Sequence, residues 1–310
     1  MAVRKLALFL VDETSEFQQL LRADAEVAAR AAGLGVVTRF SGIDIAAQLS
    51  MLQSCLAGAD RPDAIVVLPI HDRGLERFIH RAAQAGAHVA LLTAVEDDLD
   101  ALRGDAPRCA ILTVCPDEVE TGRIQGRQFR RLLPVGGRVL YVQGRVRSTT
   151  ARRRTEGVTE ALAGTGIQLI ELEAGWTREE GRDAVASWLR VALRANRRVD
   201  LVGCQNDELA RGALQALAAI AGELGRPELA QLPVTGCDGA PGQGQEMVSR
   251  GELAATVVLP RTTGTAVELL ARVFRTGQLP PPLVLLQPKS FPAEAELRPA
   301  APVVASAATA

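Results

Sequence analysis

The side chains in this sequence that could bind a ligand follow short apolar runs of the kind that form buried strands. Asp238 comes directly after the run at 234–237, and Asn206 follows the run at 201–204. A carboxylate accepts hydrogen bonds from two adjacent hydroxyl groups, and an amide both donates and accepts hydrogen bonds. This chemistry suits the binding of a polar, hydroxyl-rich molecule.

Arg154 and Trp176 offer two further kinds of contact. A guanidinium group presents a planar fork of donors, and an indole ring packs against the C–H face of a sugar-like ring. A structural role stays open for each candidate, because Asp-Gly is a common turn pair, Asn-Asp often begins a helix, and a tryptophan can belong to an ordinary core. At 206–207 we expect both roles, with Asp207 capping a helix and Asn206 contacting the ligand.

A basic cluster at 145–154 lies between an apolar run and a helix-like stretch. In it, Arg145 and Arg147 are followed by Ser148 and Thr149. Backbone N–H groups and the helix dipole favour an anion at such a position. Charge runs also form solvated helix faces, so the cluster has two interpretations: a solvated surface, or a site for an acidic or phosphorylated ligand.

The sequence lacks the motifs that enzymes of related architecture use. It has no Gly-x-Ser-x-Gly elbow and no Gly-x-x-x-x-Gly-Lys phosphate loop, and the glycines at 239–244 are wrongly spaced for a dinucleotide fingerprint. The 3 histidines and 5 scattered cysteines have no metal-binding spacing, and a net charge of −1 is not that of a nucleic-acid-binding domain. We therefore expect no catalytic residue, no metal, no cofactor and no nucleic-acid partner.

Apolar runs alternate with stretches of helical periodicity along almost the entire chain. This alternation predicts an α/β fold in which helices cover both faces of parallel sheets. Roughly ten to twelve strands are expected, a number that favours two sheets of about five or six strands each. Ligands of such sheets bind beyond the carboxyl ends of the strands, where the polar candidates fall.

Three stretches of the sequence resemble one known family. They are QGRVRSTTARRRTEGV at 143–158, CQNDELARGALQAL at 204–217 and VTGCDGAPGQGQEMVSRGELAATVVLP at 234–260. An Asn-Asp pair after a strand, a strand ending in Gly-x-Asp-Gly, an Ala-Thr strand and an arginine three residues before a glycine resemble the periplasmic sugar-binding proteins and the ligand-binding core of lac-repressor-type regulators. The resemblance implies the type I periplasmic-binding fold, with two Rossmann-like lobes joined by a three-crossing hinge that close on a ligand.

The same resemblance implies a set of ligand contacts. The positions that match ligand-contacting positions of the family are Ser15, Phe17, Gln18, Thr93, Arg154, Trp176, Asn206, Asp238 and Leu259. Two of them depart in residue type, since Thr93-Ala94 stands where sugar binders commonly have Asp-Arg, and Leu259 where many have a polar residue. A hydrogen-bonding site rejects ligands that leave its polar groups unmatched, so these departures imply a ligand other than ribose or glucose.

The two expected lobes are discontinuous in sequence. We expect residues 1–115 and 260–286 in the first lobe, residues 116–259 and 287–298 in the second, and a flexible tail at 299–310.

The expected function is that of a solute-binding protein or ligand sensor that closes on a small polar, sugar-like ligand, with a transporter or signalling protein as partner. An effector-sensing or interaction module without its own DNA-binding domain is the alternative, and an enzyme on a doubly wound fold is a further one. No stretch has the pattern of a signal peptide or of a membrane span. The chain as written is therefore expected in the cytoplasm, or in the periplasm if a leader has been removed.

Overall fold

The computed structural model describes residues 3–57, 60–95, 97–195 and 197–300. Strands and helices alternate within them, as the periodicity predicts. The strands are β1 Lys5–Leu10, β2 Gly35–Phe40, β3 Ala64–Val67, β4 His88–Leu91, β5 Ile111–Pro116, β6 Gly137–Gln143, β7 Ile167–Glu173, β8 Leu201–Cys204, β9 Val234–Thr235, β10 Thr256–Val258, β11 Leu283–Leu286 and β12 Lys289–Phe291. The helices are α1 Glu16–Ala32, α2 Ile45–Cys55, α3 Glu76–Gln84, α4 Leu99–Asp105, α5 Glu118–Leu132, α6 Thr149–Leu162, α7 Arg178–Arg194, α8 Asp207–Leu224, α9 Glu246–Ser249 and α10 Thr262–Thr276.

The chain divides into two compact units, each assembled from separate segments. The first unit consists of Met1–Asp117 and Pro260–Gln287, and the second of Glu118–Leu259 and Pro288–Ala310. Each unit contains its own parallel sheet. The predicted α/β class with parallel sheets is therefore confirmed.

The sheet of the first unit has six parallel strands in the order β11-β5-β4-β3-β1-β2. Successive residues of a strand point to opposite faces, and both faces of this sheet are covered. Leu6, Leu8 and Leu10 join a buried cluster with residues of α1 and α10, while Ala7 and Phe9 join a second cluster with residues of α2 and α3.

The sheet of the second unit has four parallel strands in the order β7-β6-β8-β9. Leu140 and Val142 of β6 pack with α7 and α8 on one face, and Val139 and Tyr141 pack with α5 and α6 on the other. This arrangement places the carboxyl ends of the strands at one edge of the sheet, where the loops that follow them meet.

The expectation of five or six strands is wrong for the second sheet. β10 forms an antiparallel pair with β12, and it meets the end of β9 only through isolated bridges at Thr235–Ala255 and Asp238–Val258. Asp238, which forms one of these bridges, has a φ of 110°, a conformation that residues other than glycine rarely adopt.

The C-terminal end of the described chain packs on the second unit. The Ala300 N–H group donates to the Leu132 carbonyl oxygen at 2.9 Å. Residues 301–310 of the predicted flexible tail lie outside the described residues. None of the described helices is both long enough and apolar enough to cross a membrane.

Candidate ligand-binding site

Four of the predicted ligand-contacting residues lie together at the carboxyl end of the second unit's sheet. The Arg154 guanidinium carbon is 5.9 Å from the centroid of the Trp176 ring. The amide group of Asn206 donates to the Trp176 carbonyl oxygen at 2.9 Å. The positive charge of Arg154 acts to lower the pKa of Asp238, against the larger effect of burial. The loops after β7, β8 and β9 and the helix α6 therefore contribute one residue each to this place.

Arg154 is held in a buried ion pair with Glu118. Its Nε group donates to a Glu118 carboxylate oxygen at 2.6 Å, and the two side chains are 4% and 6% exposed. Its Nη1 group donates to the Gln205 carbonyl oxygen. A buried ion pair of this kind fixes the orientation of both side chains, because separating them leaves an uncompensated charge. The remaining Nη2 group makes no hydrogen bond with the described residues.

The ion pair forms because α5 and α6 approach each other unusually closely. A Cβ atom at Gly122 of α5 would overlap the carbonyl group of Arg154, and one at Gly157 of α6 would overlap the carbonyl oxygen of Val119. Only glycine permits this distance between the two backbones. The close packing brings the first turn of α5, which carries Glu118, against the side chain of Arg154.

A buried glutamine, Gln205, connects the loops beneath these residues. Its Oε1 atom accepts from the Gly144 N–H group at 2.9 Å, and its Nε2 group donates to the Ala151 carbonyl oxygen at 3.0 Å and to the Tyr141 hydroxyl at 3.3 Å. The Tyr141 hydroxyl in turn donates to Gln125 at 2.7 Å. A satisfied buried network of this kind makes the positions of its members rigid.

Trp176 is partly buried and lies against the backbone of the loop after β6. A Cβ atom at Gly144 would overlap its indole ring. The backbone N–H group of Trp176 donates to the Glu180 carboxylate at 3.0 Å. Glu180 also forms a capping box with Thr177 at the start of α7. The ring is thus positioned by a helix cap on one side and by a glycine on the other.

The expected roles of Asn206 and Asp207 at the start of α8 are corrected by the structure. Asn206 is the cap, since its Oδ1 atom accepts from the Leu209 N–H group at 2.7 Å. Asp207 lies one residue further, inside the first turn, and is 1% exposed. The reason is that the cap residue needs an extended backbone, and Asn206 has one, with φ −149° and ψ 171°.

Asp207 fastens the loop that follows β9. Its carboxylate accepts from the Gly239 N–H group at 2.8 Å and from the Thr256 hydroxyl at 2.8 Å. Cβ atoms at Gly236 and Gly244 would overlap the same carboxylate. Burial raises the pKa of Asp207 to about 7 against these hydrogen bonds, which lower it. The buried Asp207 side chain therefore fixes the position of the loop that follows β9.

Asp238 is the carboxylate at this site that has no partner within the described protein. It is half-buried, and its backbone is held at the positive φ by bonds of its N–H group to the Val257 carbonyl and of its carbonyl to the Leu259 N–H group. Its carboxylate accepts no hydrogen bond from the described residues. Burial, followed by the negative charge of Asp207, raises the pKa of Asp238 well above its ordinary value. Strained backbone of this kind is concentrated at functional sites.

The predicted contact residues of the first loop serve the structure of the first unit. The Ser15 hydroxyl caps α1 by accepting from the Gln18 N–H group at 3.4 Å. The Gln18 Oε1 atom accepts from the N–H groups of Val11 and Asp12, at 2.8 and 3.0 Å. Phe17 is partly buried and packs on the first unit's core.

Thr93 and Leu259, the two departures from the family pattern, are both buried. Thr93 is 9% exposed, two residues after β4. Leu259 is 6% exposed, and its N–H group donates to the Asp238 carbonyl oxygen at 3.1 Å.

The basic cluster has carboxylates beside it. Arg145 lies 3.9 Å from Glu180, and the Val146 N–H group donates to Glu173 at 2.9 Å. Ser148 caps α6 without a side-chain hydrogen bond, Thr149 is buried, and Arg147 is exposed. The Arg145 guanidinium group thus has a carboxylate of the protein near it, and Glu173 adds a second negative charge at this loop, which weakens the case for an anion site.

Glu118, Gln205 and Gly144 were not predicted as site residues. Glu118 and Gln205 each follow a buried strand closely, a position that marks polar residues at the carboxyl edge of a sheet. Gly144 lies directly after β6, where a glycine indicates close approach by another group. The position of each residue after a strand was visible in the sequence. Their contacts depend on how the helices pack, which the order of residues along the chain does not reveal.

Comparison with known proteins identifies the family. A model of the periplasmic binding protein domain matches residues 6–273. The chain is 31% identical to a putative rhizopine-binding protein of Rhizobium meliloti over 57% of its own length and 55% of that protein. It is 28% identical to a ribose import binding protein of Salmonella typhimurium over 89% of its own length and 86% of that protein. The alignment with the first relative spans only about half of that relative's length.

Solved structures agree on the fold. A galactofuranose-binding protein superposes with a TM-score of 0.79 at 22% identity, covering 93% of this chain and 94% of that one. A solute-binding protein of Bacillus halodurans with bound myo-inositol superposes with a TM-score of 0.75 at 20% identity, covering 93% of each chain. The relatives are binding proteins, which confirms the expectation of a protein that does not catalyse a reaction.

Proposed function

Because this chain belongs to the periplasmic binding protein family, we propose that it binds a small sugar or polyol at the carboxyl end of the second unit's sheet. The residues proposed to contact the ligand there are Arg154, Trp176, Asn206 and Asp238. The first unit's Ser15, Phe17, Gln18 and Thr93, together with Leu259, remain proposed contacts by position.

The observation that carries this proposal is Asp238. Its half-buried carboxylate accepts no hydrogen bond from the described residues and feels the charge of Arg154, whose guanidinium carbon is 5.9 Å from the centroid of the Trp176 ring. A desolvated carboxylate without a hydrogen bond costs free energy unless something else supplies the donors. Two adjacent hydroxyl groups of a polyol would supply them, with the indole ring packing on the C–H face of the same molecule.

The relatives support a role in import. They include proteins described as ribose import binding, D-allose-binding periplasmic and xylitol-binding proteins. By that likeness we propose that this chain is the substrate-binding component of an ABC transporter, that its partner is the membrane permease, and that it works in the periplasm.

A thermal-melt screen tests the proposal. The panel contains ribose, allose, xylitol, myo-inositol and galactose, with amino acids and nucleosides as unrelated solutes. A ligand at about 1,000 times its dissociation constant stabilises the folded protein by about 4 kcal/mol, which raises the melting temperature by several degrees. We expect a shift with at least one sugar or polyol. A shift confined to amino acids or nucleosides would contradict the proposal.

A further inference from the structure

We infer that Glu118 is a positioning and specificity-determining residue of the ligand site: it makes Arg154 a donor to uncharged ligand oxygens and so discriminates against acidic sugars and sugar phosphates. The inference rests on the proposed function, since it concerns the ligand of that same site. It is carried by the contacts of the Arg154 side chain within the second unit.

Two of the three nitrogen atoms of the Arg154 guanidinium group already have protein acceptors. The Nε group donates to a Glu118 carboxylate oxygen at 2.6 Å, and the Nη1 group donates to the Gln205 carbonyl oxygen. Because Nε carries a single N–H group, the edge formed by Nε and Nη2 cannot make a second, two-point contact with a carboxylate or phosphate. What remains for a ligand is the Nη2 end of the group, and Nη2 makes no hydrogen bond with the described residues.

The positive charge of Arg154 is balanced before a ligand arrives. The Arg154 and Glu118 side chains are both more than nine-tenths buried, so solvent and salt screen the pair only weakly. A ligand carboxylate or phosphate at Nη2 would place a second negative charge on the guanidinium group that Glu118 already occupies. A hydroxyl or ring oxygen accepts the same hydrogen bond without that repulsion and without a charge to desolvate.

The two acceptors of Arg154 are themselves fixed. Glu118 begins α5, which crosses α6 so closely that a Cβ atom at Gly122 or Gly157 would overlap the backbone of the other helix. The Gln205 side chain accepts from an N–H group of the loop after β6 at 2.9 Å and donates to a carbonyl oxygen of α6 at 3.0 Å. Neither acceptor can therefore move aside without disrupting this packing, and together they set the direction in which Nη2 of Arg154 points.

The basic cluster at 145–154 does not supply a second guanidinium group for an acidic ligand. Arg154 is the only buried arginine among the residues that the structure describes, and its charge is the one that Glu118 balances. Arg145 lies 3.9 Å from Glu180 and is half exposed, so its charge is screened by solvent and salt. An acidic ligand therefore gains little from this cluster to offset the repulsion by Glu118.

Titration calorimetry with matched neutral and acidic ligands tests the inference on the full chain. Each sugar or polyol of the melt screen is paired with an acidic analogue: galacturonate for galactose, xylonate for xylitol, and a monophosphate for ribose, allose and myo-inositol. For every pair that binds, we expect the neutral member to bind at least about tenfold tighter than the acidic one. An acidic member that binds as tightly as its neutral partner, or tighter, would overturn the inference and leave the proposed function standing. Binding of no neutral and no acidic member would instead count against the proposed function.

Variants of Glu118 locate the effect. Glu118→Gln keeps an acceptor oxygen for Nε of Arg154 but removes the counter-charge, so the ratio of neutral to acidic affinity should fall about tenfold or more. Glu118→Asp keeps the charge and should keep the ranking of the wild type.

Glu179→Gln, at an exposed residue in the first turn of α7, is the matched control and should leave both affinities unchanged. If Glu118 served only to hold the helices together, Glu118→Gln would weaken both members of a pair equally. An unchanged ratio in that variant would therefore contradict the inference. If Glu118→Gln does not fold, the ratio in the wild type decides, with equal or tighter binding of the acidic member as the contradicting result.

Discussion

At the scale of single residues, two aspartates on either side of one loop perform different tasks. Asp207 accepts hydrogen bonds from Gly239 and Thr256 and is enclosed by the protein. Asp238 has its backbone at a positive φ and its carboxylate without a protein partner. Asp207 fixes the loop after β9, and Asp238 lies on that loop with its carboxylate free of hydrogen bonds from the described residues. Burial raises the pKa of both carboxyl groups, and the negative charge of Asp207 raises the pKa of Asp238 further.

The buried Asp207 predicts a dependence of stability on pH. Its pKa is raised from 3.8 to about 7 in the folded protein, chiefly by burial. The folded state therefore holds this proton over a range of pH in which the unfolded state has released it. The stability associated with the protonated group is full below about pH 4 and is lost as the pH rises through about 7.

Asp207→Asn should remove this contribution. The amide can keep both contacts, since the Thr256 hydroxyl can accept as well as donate. In urea unfolding between pH 4 and pH 8, we expect the unfolding free energy of the wild type to fall with rising pH relative to that of the variant. The control is Asp183→Asn, at an exposed aspartate paired with Arg182. Parallel curves for the wild type and Asp207→Asn would contradict the assignment.

At the scale of elements, the packing of α5 on α6 places the ion pair. The glycines at their crossing let the backbones touch, and Glu118 and Arg154 lie next to that contact. The pair thus depends on helix packing as much as on its own two residues. Separating the helices would move Glu118 away from Arg154.

Gly122→Ala tests this dependence. The added methyl group would overlap the Arg154 carbonyl group, and overpacking of this kind costs about 1–3 kcal/mol. We expect a loss of that size in the free energy of unfolding measured with urea. Gly222→Ala in α8 is the control, because no atom lies within 4 Å of the added Cβ; alanine there should leave stability unchanged or raise it by up to about 1 kcal/mol. Equal effects of the two substitutions would show that the crossing is not tight.

The sequence predicts the regular elements well and the contacts between them poorly. The apolar runs at 6–11 and 64–68 became β1 and β3 because a buried strand needs little beyond such a run. β12 was missed, since it has three residues and forms only by pairing with distant β10. The order of Asn206 and Asp207 was reversed because a helix cap is decided by backbone angles that the residue types at two adjacent positions do not distinguish.

The candidate site shows the same division. Arg154, Trp176, Asn206 and Asp238 could be identified from motifs, and the structure places them together. Glu118 could not, since it lies 36 residues before Arg154 and reaches it only through the helix crossing.

At the scale of the whole molecule, binding is a change in the population of folded states. A ligand stabilises the states that bind it by an amount set by its concentration and affinity, and it shifts a conformational equilibrium only by its differential affinity for the two conformations. The discontinuous units of this chain each have a complete sheet and core, so binding does not have to create the fold. The carboxyl end of the second sheet is present before the ligand arrives.

The measurement that tests the central claim most directly is calorimetric titration of the best sugar or polyol from the melt screen into the wild type, Asp238→Ala and Asp183→Ala. We expect one ligand to bind per chain in the wild type and in Asp183→Ala. Asp238→Ala should bind at least about tenfold more weakly, since its loss removes charge-assisted hydrogen bonds at the centre of the site. Equal affinity of Asp238→Ala and the wild type would contradict the assignment of the binding site to the carboxyl end of the second unit's sheet.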